Sequence, residues 1–102
     1  MLIDDIRALI AAPTPAAPGQ FLARVDVTLT DGYAHTLQLE AEQARLERRM
    51  GGILATRPAD TDELAELAER ASVVNARIVA LRMLLQTLRD RRAEIRRAAY
   101  LR

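Results

Sequence analysis

A heptad runs without a break through the C-terminal part of this chain: Leu64, Leu67, Ala71, Val74, Ile78, Leu81, Leu85, Leu88, Arg92, Ile95 and Ala99. Its gaps alternate between three and four, the spacing that keeps one seam against a partner as two helices wind around each other. Whatever else the chain does, it must bury a stripe along a long helix. Asp60 and Glu63 have the spacing of a capping box, and Asp62 and Glu63 put negative charge where the helix dipole favours it. Neither Pro nor Gly follows. The pattern predicts one helix over residues 60–101, about 60 Å long at a rise of about 1.5 Å per residue.

Upstream, the pattern changes four times. Leu2, Ile3, Ile6, Leu9 and Ile10 recur at helical spacing, so residues 1–12 read as a short amphipathic helix that needs a surface to lie on. The run AAPTPAAPGQ from Ala11 to Gln20 breaks it, and residues 13–20 read as a Pro/Ala linker that tethers the helix. From Phe21 to Leu39 apolar residues alternate about a Thr30-Asp31-Gly32 turn signal, which predicts a β-hairpin. A three-residue loop with Gly32 left-handed would pair Leu29 with Tyr33, Val27 with His35, Val25 with Leu37 and Ala23 with Leu39, gathering one apolar face. Residues 40–56 turn helical on Leu46, Met50, Ile53 and Leu54. At Gly51-Gly52 the helix either stops after Met50 with a glycine cap or continues to about Thr56; the apolar period survives the glycines, which favours continuation, and Arg57-Pro58 stops it in either case.

The expected fold is therefore mostly α, of the α+β kind: a β-hairpin followed by an antiparallel helical hairpin with one long coiled-coil arm, residues 21–102 forming a single domain. A helix over 40–56 is only about 25 Å long, enough to cover the long arm from about Leu64 to Arg77. Beyond it, Ile78, Leu81, Leu85, Leu88 and Ile95 meet no helix of their own chain and read as an oligomer interface. Val73, Val79, Met83 and Leu84 broaden the stripe, as if the middle of the helix were buried on more than one side.

Charge selects the orientation. Residues 60–72 carry five acids and one arginine, a net of −4, and residues 82–102 carry seven arginines and two acids, a net of +5. Arginines at the positions flanking the seam would repel in a parallel pair, so an antiparallel homo-oligomer is expected. Arg92 on the seam and Asn75 beside it are the polar groups that would fix register or mark a fraying end.

The chemical toolkit is thin. All fifteen basic residues are arginine, and there are one His, one Ser and no Cys. His35 falls on the apolar face of the expected hairpin and reads as structural; Ser72, inside the long helix, has no histidine near it in sequence. There is no His/Cys cluster for a metal and no glycine-rich phosphate loop, so no cofactor is expected and the chain is read as a non-enzyme. Residues 1–12 lack the pattern of a secretory signal and no 18-residue stretch is wholly apolar, so a cytoplasmic protein that does not enter a membrane is expected.

The function these features predict is a non-catalytic interaction protein: an adaptor, assembly factor or regulatory subunit. It would self-associate through the long helix and dock a partner through Leu2, Ile3, Ile6, Leu9 and Ile10. The alternative is nucleic-acid binding, with Arg89, Arg92, Arg96 and Arg97 as candidate phosphate contacts. Tyr100 is the one aromatic residue near them.

Overall fold

The β-hairpin expected over residues 21–39 does not form. In the computed structural model, which describes residues 1–101, the chain folds into α1 (Leu2–Ala11), α2 (Pro18–Thr56) and α3 (Thr61–Tyr100), with no strand among the described residues. The class is all-α, and the segment read as a hairpin is the first half of a 39-residue helix.

The reason lies in which positions of α2 are covered. Phe21, Val25, Leu29, Gly32, Thr36, Leu39, Leu46 and Ile53 are buried, with Gln43 and Met50 half-buried, and these positions recur at three and four along the helix. Gly32, Thr36 and Gln43 occupy seam positions without being large and apolar, which hid the period and left an alternation visible instead. Val27 and Leu37, which the hairpin would have buried, are 62% and 66% exposed. Gly32 has no positive φ; its missing side chain serves a close approach. A Cβ there would collide with Cδ2 of Leu85. The local turn preference of Asp31-Gly32 costs only about 1 kcal/mol in a helix, less than one buried leucine returns.

The chain divides into two compact units. The first contains Met1–His35 and the part of α3 from Leu81 onward. Here three helical segments share a core of Ile6 and Leu9 from α1, Phe21, Val25 and Leu29 from α2, and Leu81, Leu85, Leu88 and Ile95 from α3. α1 ends where Ala12 turns extended (φ −62°, ψ 141°) ahead of Pro13, as the residue before proline prefers. Pro18 is the first residue of α2, a position where its lost N–H would have had no helical partner. The connection between the two helices is thus residues 12–17, shorter than the expected linker. Arg91 ties α1 down: its Nη2 donates to the Ala12 carbonyl at 2.8 Å and its Nη1 to Glu94 at 3.5 Å. Its Nε is buried without a partner. Arg92 Nε donates to Asp26 at 2.5 Å.

The second unit, Thr36–Ala80, is a two-helix antiparallel hairpin. Leu39, Leu46 and Ile53 of α2 and Leu67, Val74 and Ile78 of α3 are its buried residues, together with Thr36, a buried polar residue. α2 runs through Gly51-Gly52 to Thr56, and neither glycine has a neighbour that a Cβ would meet. Pro58 then breaks the chain into a tight turn, in which the Asp60 N–H bonds the Arg57 carbonyl at 3.0 Å. Asp60 caps α3 by accepting from the Glu63 N–H at 3.3 Å, the first half of the capping box expected there. Glu63 also draws in Arg49 at 2.9 Å and Arg57 at 3.6 Å.

Candidate interaction surface

α3 is a single helix of 40 residues whose seam positions are filled from within the chain. Ile78, Leu81, Leu85, Leu88 and Ile95, expected to await another subunit, are each at most 3% exposed. The expectation of an open seam followed from counting only residues 40–56 as the covering helix. Because α2 is helical from Pro18, it supplies the missing cover itself. The N-terminal docking residues are likewise engaged at home: Ile6 and Leu9 are buried, Leu2 and Ile10 half-buried, and only Ile3 of the five is exposed.

The structure also sorts the arginines. Arg92 is held by Asp26, whereas Arg89, Arg96 and Arg97 are exposed. Arg96 and Arg97 flank Tyr100 and Leu101 around a shallow groove, and these two terminal side chains are 90% and 83% exposed. His35 and Ser72 are both exposed on helix surfaces. No group of three or more His, Cys, Asp or Glu side chains is placed to hold a metal among the described residues.

What the sequence pattern did not separate from the seam is the opposite face of α3. Between Ser72 and Thr87 the side chains of Ser72, Val73, Ala76, Val79, Ala80, Met83, Gln86 and Thr87 are exposed and uncharged, with the exposed Arg77 and Arg82 flanking them. Of the uncharged residues, the first five lie in the hairpin unit and the last three in the three-helix unit. Val73 is 48% exposed, Val79 46% and Met83 67%. A helix with one covered stripe normally carries charge on its solvent side. On α3 charge is concentrated towards the ends, with Asp62, Glu66 and Glu69 before this stretch and Asp90, Glu94 and Arg97 after it, and only Arg77 and Arg82 within it. The signal was present in sequence, as four residues that widened the stripe. Beside a short covering helix they would belong to one broad seam.

The same composition makes α3 long and apolar enough to cross a membrane by those two measures, with an 18-residue window of mean hydropathy 1.2, one third of it buried. No stretch of that kind was expected from the sequence; it arises because buried and outward faces are apolar together over the same turns. No protein-family model, curated protein or solved structure matches the chain.

Proposed function

We propose that this chain is a non-catalytic interaction protein, an adaptor, assembly factor or regulatory subunit, that self-associates through α3. The observation that carries the reading is the exposure of Val73, Val79 and Met83 on a helix whose other side is already covered. Contiguous apolar surface of this kind marks an interface more often than a solvated face.

Magnitudes set the expected strength. Completing the burial of Val73, Val79 or Met83 is worth about 1 kcal/mol each, so six such side chains in a dimer give about 6 kcal/mol. A micromolar complex needs about 8 kcal/mol net of association costs. The middle of the face therefore makes a weak dimer alone, and stable pairing requires Tyr100 and Leu101 to be covered as well. Replacing Val79 and Met83 together with glutamate tests this. The double variant should sediment as a folded monomer at concentrations of about 100 μM, where the parent chain self-associates. Equal masses for the two would remove the basis of the proposal.

The exposed Arg89, Arg96 and Arg97 beside Tyr100 favour a second reading, nucleic-acid binding, with three phosphate contacts in place of the four expected because Asp26 engages Arg92. Its test is affinity for a generic duplex that falls steeply with salt.

A further inference from the structure

We infer that a single-stranded nucleic acid lies along α3 in the three-helix unit, with its phosphates on Arg89, Arg96 and Arg97 and its bases stacked on Tyr33 and Tyr100. This deepens the nucleic-acid reading and rests on it.

The placement of the aromatic residues carries the inference. The chain has no Trp, one Phe and two Tyr. Phe21 is in the core, whereas Tyr33 and Tyr100 are 43% and 90% exposed. Each tyrosine lines a groove with unpaired arginines: Tyr33 with Gln86 and Arg89, Tyr100 with Arg96 and Arg97. Arg92 and Ala93 border both grooves and make them one continuous strip. Arg89 and Arg96 stand two turns apart on the same side of the helix, about 10 Å along its axis. Ala93 between them is small and keeps the strip open. Arg96 and Arg97 precede Tyr100 by one turn, so both are its neighbours on the helix surface.

Charge then favours a single strand over a duplex. Arg92 is taken by Asp26, but Arg89, Arg96 and Arg97 enter no ion pair among the described residues. Asp90 also lines the strip and accepts from Gln86 at 3.0 Å. Four arginines against two aspartates leave a net of only +2. So small an excess holds a duplex weakly, because phosphate contacts supply nearly all of its non-specific affinity. A single strand adds stacking, worth about tenfold per base on an exposed ring, while a duplex keeps its bases in its own stack. An anionic lipid surface would call for a broad apolar face among the arginines, where this strip has Gln86 and Ala93.

The full chain is titrated against an oligothymidylate of about 16 nucleotides, a duplex of the same length, and phosphatidylcholine/phosphatidylserine vesicles. Anisotropy of a labelled strand gives affinity. With unlabelled strand, intrinsic emission reads stacking, because a chain without tryptophan emits from its two tyrosines. The single strand should bind more tightly than the duplex and quench that emission. Its affinity should fall with salt at a logarithmic slope of about −2, three phosphates at about 0.7 each. Tyr100→Ala should weaken the single strand about tenfold, and Tyr100→Phe should hold it within about twofold. Duplex binding as tight as single-strand binding, or single-strand binding that Tyr100→Ala leaves unchanged, would overturn the inference while leaving the nucleic-acid reading standing. Binding of neither nucleic acid, with or without binding of the vesicles, would overturn both.

Discussion

The two units of this chain bury apolar side chains to different depths, and the difference comes down to a third helix. In the three-helix unit α1 lies against α2 and α3, and all four of the large side chains that are essentially fully buried, Ile6, Val25, Leu81 and Leu88, are found there. The hairpin unit is built by the same alternation of three and four, yet it has only two helical segments. Its seam is covered, and large apolar side chains stay on the surface of both units: Leu37, Leu54, Val73 and Val79 here, Val27, Met83, Tyr100 and Leu101 on the three-helix unit. A two-helix hairpin can close one stripe per helix and no more.

The largest expected effect that would sharpen this contrast is in the cores. Leu88→Ala in the three-helix unit should cost about 4 kcal/mol, whereas Leu67→Ala in the hairpin unit should cost about 2 kcal/mol, because a shallower site loses less and collapses more easily. Urea denaturation of both variants checks it, and equal losses would break the comparison. Next is the tie on α1. Arg91→Met keeps the stem but removes the bond to the Ala12 carbonyl, and should cost about 1 to 3 kcal/mol. Amide exchange should rise first across residues 2–11.

Glycine substitutions separate the units by sign. Gly32→Ala should destabilise by about 1 kcal/mol, the collision with Leu85 outweighing the gain in helix propensity. Gly52→Ala, with nothing for its Cβ to meet, should stabilise by about 0.5 to 1 kcal/mol. Thermal melts of the pair read both signs at once. The smallest effect belongs to the Arg49–Glu63 pair near the turn of the hairpin, where the arginine is 65% exposed. Arg49→Ala should change stability by less than about 1 kcal/mol, and the change should vanish at high salt.

Much of the fold could be read from residues alone. α3 is announced by an unbroken heptad, its start by Asp60 and Glu63, and the stop before it by Pro58. α1 is visible in Leu2, Ile6 and Leu9. The first half of α2 was not legible, because Gly32, Thr36 and Gln43 stand at seam positions where a pattern of large apolar residues would expect leucine. The physical cause is local: Leu85 projects into the space a Gly32 side chain would fill. The consequence reaches the interface: were half of α2 strands, the seam from Ile78 to Ile95 would lack a cover and would call for a partner. Once α2 is a helix throughout, the seam is closed and the unpartnered surface moves to the opposite side of α3, to Val73, Val79 and Met83.

Sedimentation equilibrium of the unmodified chain from about 1 to 200 μM tests the central claim most directly, since a dimer of the expected strength must assemble within that range. The weight-average mass should climb from that of one 11.3 kDa chain towards twice that value. A mass that stays at one chain across the whole range, with the protein folded and soluble, would contradict the account.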